Sequence, residues 1–166
     1  GSGMGRLASQ RLSATGASVA GVDVNEPGLQ ETARGCEHFH PFALDVTDER
    51  AVAATVREVE SLLGPIDRVM NAAAIMPTDL LLDQDANLIN RIMDINYGGT
   101  VNVTMATLPG MLERGKGDLV NFASIAGWLP ALHFGAYNAS KFAVVAFTEG
   151  LHHENRDKGV RFACVC

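Results

Sequence analysis

A doubly wound parallel α/β sheet, covered by helices on both faces, is the fold this sequence predicts. Short apolar runs such as Val19-Ala20-Gly21-Val22-Asp23-Val24 alternate with longer segments whose apolar residues recur at helical spacing. Several runs end in a polar residue or an acid followed by turn formers, as buried parallel strands do. Glycine accounts for 17 of 166 residues, and several stand where helices should end.

The elements follow in order. Met4, Leu7, Ala8 and Leu12 share one helical face, and Gly16 sits where a left-handed helix end is wanted. Val19–Val24 is a strand, with Asn25-Glu26-Pro27-Gly28 as its turn. A short helix from Leu29 to Arg34 stops at Gly35, and His38–Leu44 forms the next strand. Thr47 is placed to cap a helix whose Val52, Val56, Val59 and Leu63 keep one apolar face until Gly64-Pro65. Ile66–Ala73 is a strand, followed by a helical stretch from Asp85 to Leu108 that Gly98-Gly99 interrupts. Leu119–Ser124 is a strand, Trp128 and Pro130 lie in a loop, Ala136–Asn155 is a helix, and Val160–Cys166 is the last strand.

Composition bounds the function. With 47% hydrophobic and 19% charged residues, the 166 positions read as one globular domain, residues 1–166. No apolar run approaches the roughly 18–20 residues needed to cross a bilayer, and Gly1–Arg6 has no secretory apolar region. A cytoplasmic protein without a membrane partner is therefore expected. The net charge of −6 and the absence of a Lys/Arg cluster argue against a nucleic-acid partner. Cys36, Cys164 and Cys166 form neither a metal-ligand spacing nor an even-numbered framework, and Cys164 and Cys166 read as core residues. His38, His40, His152 and His153 read as strand or surface histidines, and no metal is expected.

One run carries chemistry. Ser124 is followed thirteen residues on by Tyr137-Asn138-Ala139-Ser140-Lys141. A phenol and an ammonium four apart share a helix face. A free phenol titrates near 10, so acting as a base near neutrality requires about 4 kcal/mol of preference for its anion. A unit positive charge about 4 Å away, at an effective dielectric of ~20, is worth roughly 4 kcal/mol. One lysine is the right size of effect. With Ser124 at a strand end facing that helix, its hydroxyl can bond a substrate oxygen while Tyr137 exchanges that oxygen's proton. An exposed amphipathic pair is the competing reading of Tyr137 and Lys141.

Other positions suit a dinucleotide. Gly1-Ser2-Gly3-Met4-Gly5 opens the first helix, where backbone amides and the positive helix end attract a pyrophosphate. The spacing departs from G-x-G-x-x-G, whose third glycine would fall on Arg6, and Gly-Ser-Gly-Met also reads as a cloning remnant before a start methionine. Asp23, at a strand end eighteen residues past Gly5, can accept from a ribose 2′-OH and would repel a 2′-phosphate, which favours NAD. Asp45 either reaches an adenine edge or caps the Thr47 turn. Asn71-Ala72-Ala73-Ala74 ends a strand in small residues that admit a flat ligand, or a packed helix. Asn96, just before Gly98-Gly99, is an odd choice for a bland helix.

Together, Gly3-x-Gly5, Asp23, Asp45-Val46, Asn71-Ala72-Ala73, Asn96, Ser124 and Tyr137-x-x-x-Lys141 resemble the short-chain dehydrogenase/reductase family, nearly end to end. The resemblance implies a Rossmann-type three-layer α/β/α fold and a catalytic tetrad of Asn96, Ser124, Tyr137 and Lys141. Tyr137 would be the acid/base, Ser124 would orient the substrate oxygen, Lys141 would bind the nicotinamide ribose and favour the phenolate, and Asn96 would hold a water. NAD would lie against Gly1, Ser2, Gly3, Met4, Gly5, Asp23, Val24, Asp45, Val46, Asn71, Ala72, Ala73, Tyr137 and Lys141. Gly1–Gly5 reproduce the last five positions of the family's Thr-Gly-Ala-x-x-Gly-x-Gly and so read as native. The resemblance also implies a chain incomplete at both ends: a first strand, central in the sheet between Val19–Val24 and Ile66–Ala73, and a substrate-covering segment after Cys166 are expected beyond this sequence. Ala74 and Ala123 replace a glycine and a serine common in the family.

The resulting expectation is an oxidoreductase that transfers a hydride between NAD and a secondary alcohol or ketone. A non-catalytic NAD-binding regulatory module is the alternative, against which the intact tetrad argues. An epimerase or dehalogenase on the same scaffold would be expected to add a substrate domain or lose the glycine loop. Ala74, Ile75, Met76, Ile125, Leu129, Leu132 and His133 are candidates to line a partly apolar substrate pocket. By resemblance, the 85–108 and 136–155 helices would pair with their copies in a homodimer or homotetramer.

Overall fold

The computed structural model describes residues 1–166 as six α-helices and five parallel strands. Helix α1 spans Gly3–Ser13, β1 Val19–Asp23, α2 Glu26–Ala33, β2 Phe39–Ala43, α3 Glu49–Leu63 and β3 Arg68–Asn71. Then come α4 Ala86–Met93, α5 Gly99–Arg114, β4 Gly117–Phe122, α6 Gly135–Asn155 and β5 Val160–Val165. A π-helical turn, Asp94–Gly98, joins α4 to α5. No helix is long and apolar enough to cross a membrane.

The parallel ladders lie in two sheets. β1 pairs with β2, from Val19↔Phe39 to Asp23↔Ala43. In the other sheet β4 lies between β3 and β5, with Arg68↔Asp118 and Gly117↔Val160 beginning the two ladders. From β1 the chain winds outward through α2 to β2, and from β3 outward through α4–α5 and α6 to β5. This is the doubly wound α/β pattern. Helix α1 packs on α2, and α3 on α5. β1 and β3 each have a ladder partner on one side, and their other edges line one cavity of about 870 Å³. Met4, Ala8 and Leu12 of α1, Val52, Val56 and Val59 of α3, and Val103 of α5 line it as well. An unpaired strand edge is costly unless its backbone groups find partners.

Burial follows the apolar periodicity. Val69, Leu108, Met111, Leu119 and Val160 form the main core beneath α5, and Leu29, Cys36 and Phe39 a second cluster beneath α2. Gly21 has no room for a side chain, because a Cβ there would stand 2.1 Å from the Phe39 ring.

Several boundaries differ from the sequence reading. The Asn25–Gly28 turn is the first turn of α2: Asn25 caps it by accepting from the Gly28 amide at 3.1 Å, and Pro27 needs no donor there. The cap of α3 is Asp48, which accepts from Ala51 N at 3.0 Å, whereas Thr47 donates to Asp45. Gly98-Gly99 do not break the helical stretch, and it continues through Pro109 to Arg114, where Gly115 ends it in the left-handed region at φ 62°. β3 is shorter than Ile66–Ala73. Cys166 is exposed rather than in the core, and its Sγ accepts from Trp128 Nε1 at 3.0 Å.

Candidate active site

The four residues of the expected tetrad come from three segments: the π-helical turn, the loop after β4, and α6. Helix α6 carries Tyr137 and Lys141 one turn apart, with the Lys141 Nζ 5.6 Å from the centre of the Tyr137 ring. That ammonium is buried, at 3% exposure, and donates to the Phe122 carbonyl oxygen at 2.7 Å. Burial pushes its pKa below the ordinary lysine value. The Phe134 ring meets Tyr137 edge-on, with centroids 6.4 Å apart.

Two residues beyond Phe122, Ser124 leaves β4 in an extended conformation and caps the short 3₁₀ turn Ile125–Gly127, accepting from Ala126 N at 3.1 Å. The turn sits directly on α6. A Cβ on Gly127 would lie 2.8 Å from the Lys141 carbonyl, so this position takes glycine for close approach.

Asn96 lies in the π-helical turn and is fully buried. Its carboxamide exchanges two hydrogen bonds with Ile75, accepting from Ile75 N at 2.8 Å and donating to Ile75 O at 2.9 Å. It also donates to Ser140 Oγ at 3.0 Å, and Ser140 donates to the Tyr137 carbonyl at 2.8 Å. A π turn at such a position is common where function needs a displaced side chain. Asn96 thereby ties the strand end after β3 to the motif helix.

Of the fourteen expected dinucleotide residues, all but Tyr137 and Lys141 line the cavity. Gly1, Ser2, Gly3, Met4, Gly5, Asp23, Val24, Asp45, Val46, Asn71, Ala72 and Ala73 all border it. Ser2, at the cap position of α1, makes no side-chain capping bond, and the first turn holds no acid. The first amides of α1 therefore have no side-chain cap, which suits a pyrophosphate. Gly3 has φ 51°, which favours glycine. Asp23 accepts from Asn25 N at 2.9 Å. These features fit the phosphates of a nicotinamide dinucleotide at the start of α1.

Two expected residues have other commitments. Asp45 accepts from the backbone and hydroxyl of Thr47 at 2.9 and 2.8 Å and pairs with Arg91 at 3.0 Å. The Thr47 bonds, and then Arg91, hold its carboxyl low. The Asn71 carboxamide is spent in the core, donating to Asn121 Oδ1 at 2.9 Å and Thr104 Oγ1 at 3.2 Å.

Around Ser124 and Tyr137 the surface is apolar. Met76, Ile125, Trp128, Leu129 and Leu132 are all exposed. The two loops that carry them are joined where Asp79 N donates at 3.0 Å to the carbonyl of His133, which adopts φ 66°. Sequence reasoning missed Asn138, Ser140 and Arg91. Asn138 and Ser140 offered a signal, since polar residues on a face that must pack against a strand need buried partners.

The short chain dehydrogenase family model matches residues 1–166. Among curated proteins, 2-dehydro-3-deoxy-L-rhamnonate dehydrogenase (NAD(+)) of Sphingomonas sp. (strain SKA58) is 36% identical over 160 residues, covering 96% of this chain and 64% of its own length. The 2-(S)-hydroxypropyl-CoM dehydrogenase 3 of Xanthobacter autotrophicus is 34% identical, over 100% of this chain and 67% of its own. The crystal structure of the apo form of LigO from Sphingobium sp. strain SYK-6 superposes with a TM-score of 0.91 at 27% identity, over 99% of this chain and 63% of that one. The chain thus spans about two thirds or less of each of these proteins.

Proposed function

Because this chain belongs to the short-chain dehydrogenase family, we propose that it is the nucleotide-binding and catalytic domain of an oxidoreductase that uses NAD and acts on an apolar secondary alcohol or the corresponding ketone. The observation that carries the reading is Lys141, an ammonium buried beside the Tyr137 ring and anchored to the strand that delivers Ser124.

When bound, NAD supplies the acceptor for the hydride that leaves the carbinol carbon. The chain's own residues do the rest. Ser124 donates to the substrate oxygen, Tyr137 takes the hydroxyl proton, and the positive charge of Lys141 favours the phenolate that receives it. Asn96 and Ser140 hold the helix face that presents Tyr137. In the ketone direction Tyr137 returns the proton to the oxygen. Asp23 supports NAD over NADP, since its carboxylate would repel a 2′-phosphate, and one relative carries NAD(+) in its name. The exposed Met76, Ile125 and Leu129 support an apolar substrate. A cytoplasmic homodimer or homotetramer is part of the same reading, supported by Met105 on α5 and Phe142 on α6, both exposed; light scattering on the purified protein tests it.

Formation of NADH across a panel of secondary alcohols tests the activity. Tyr137→Phe is expected to abolish turnover while NAD still binds by calorimetry. Unchanged turnover in that variant would remove the mechanism.

A further inference from the structure

Resting on that reading, we propose that Asn138 is a positioning and specificity-determining residue, a clasp that holds the Ser124–Ala131 loop on α6 and so sets Ser124, Ile125 and Leu129 relative to Tyr137.

Asn138 is the neighbour of Tyr137 and is 4% exposed. Its whole carboxamide is spent on one loop. Nδ2 donates to the carbonyls of Ala126 at 2.7 Å and Leu129 at 3.2 Å, and Oδ1 accepts from Ala131 N at 3.2 Å. Asparagine is a weak helix former, and burying its amide is tolerable only with such partners. The loop has little regular structure of its own beyond the 3₁₀ turn that Ser124 caps.

The clasp matters because Ser124 and Tyr137 stand on different elements. Lys141 grips Phe122, two residues before Ser124, and Asn138 grips Ala126, two residues after it. Ser124 is thus bracketed from the helix that carries the acid/base. Lys141 holds the strand side of the bracket and Asn138 the loop side. The second carbonyl held by Asn138 belongs to Leu129, which with Ile125 presents the loop's exposed apolar surface beside the site. Releasing the clasp lets the hydroxyl and the apolar wall move together, while the residues around α1 and β1 are untouched.

The test uses the full-length protein with Asn138→Ala and Asn138→Asp. For Asn138→Ala, kcat/KM for a bulky secondary alcohol should fall by roughly 10- to 100-fold, and the preference for bulky over compact alcohols should flatten, with the Kd for NAD changed less than about 2-fold. Trp128, the one tryptophan in the sequence, lies in the loop and gives a readout independent of turnover. Its emission should shift, and exchange of the Ala131 amide should accelerate. Asn138→Asp keeps the acceptor for Ala131 N but turns a carboxylate toward two carbonyls. Burial and those oxygens raise its pKa, so activity relative to the parent protein should recover as pH falls and the acid can donate. A purely structural role would lower thermal stability and leave the bulky-to-compact ratio and the pH-dependent recovery unchanged. Parent-like selectivity and Trp128 emission in folded Asn138→Ala would overturn the proposal; if that variant does not fold, a pH-independent Asn138→Asp would do the same. Should the parent protein turn over no alcohol, the functional reading fails by itself, and Trp128 emission with Ala131 exchange still decides whether the clasp exists.

Discussion

The Lys141 ammonium donates to the Phe122 carbonyl at 2.7 Å, so a buried cation is solvated by a backbone dipole rather than paired with an acid. A carboxylate partner would have stabilised the charge more, but it would also have cancelled the positive field at Tyr137. Anchoring to a carbonyl satisfies one donor and leaves the charge available to the phenol beside it. Burying the ammonium costs stability, and that cost can be measured.

Lys141→Met is expected to be as stable as the parent protein or up to about 2 kcal/mol more stable at neutral pH, and inactive. The pH dependence has a definite sign. Burial lowers the folded-state pKa of Lys141 below the ordinary value of 10.5. Between the lowered value and 10.5 the unfolded chain holds this proton and the folded chain does not, so this group makes stability rise with pH across that window. Urea midpoints of the two proteins over an alkaline pH series should therefore converge. A difference that stays constant with pH would show that the ammonium is not desolvated.

Asp23→Ser should shift cofactor preference. Removing the carboxylate deletes the acceptor for a ribose 2′-OH and the repulsion of a 2′-phosphate. The ratio of kcat/KM for NAD to that for NADP should fall by about 10-fold or more, since a change of about 1.4 kcal/mol is enough. Steady-state kinetics with both cofactors check this, and an unchanged ratio would place the ribose elsewhere.

Asp118 lies in register between Arg68 and Arg161 on its two neighbouring strands, accepting at 2.6 Å from each guanidinium. The Arg161 hydrogen bond first, and then Arg68, hold its carboxyl below the ordinary range against the opposing effect of burial. A lowered folded-state pKa contributes stability above the unfolded value of 3.8, lost as pH falls through the folded one. Asp118→Asn should cost on the order of 1 kcal/mol at pH near 7, a modest figure because both arginines are partly solvated. The two proteins should become equally stable in acid, as followed by thermal melts across pH.

Asn121 joins the sheet to α6. It is fully buried, accepts from Asn71 at 2.9 Å and donates to Thr148 Oγ1 at 2.9 Å. Asn121→Leu leaves one donor of Asn71 unpaired and should cost about 1–3 kcal/mol by urea denaturation. The double variant Asn71→Leu/Asn121→Leu should lose less than the sum of the two singles, because it removes both partners together. Additive losses would mean that the two carboxamides are not coupled.

Most of the fold, and the placing of Tyr137 and Lys141 on one helix face, was legible because it depends on short-range spacing. An apolar period of three to four residues turns one side of α3 or α6 inward whatever lies beyond it, and a four-residue separation puts Tyr137 and Lys141 on one face. The boundaries that differed were local competitions between similar groups. Asp48 caps α3 because Thr47 is engaged with Asp45, and Pro109 stays inside α5 because the helix packs on β4 beyond it.

What only the tertiary structure decided were the partners. The sequence by itself determined that Tyr137 and Lys141 share a helix face, that Ser124 lies close to the end of a strand, and that Asp23 closes the strand after the glycine loop. It did not identify the partners: that Lys141 would grip Phe122, that Asn138 would clasp Ala126 and Leu129, or that Ser140 would meet Asn96. Most of these partners are backbone carbonyls, and every residue has one. A carbonyl oxygen carries no side-chain identity, so which one a buried donor finds is settled when strand and helix pack, by distance and burial alone.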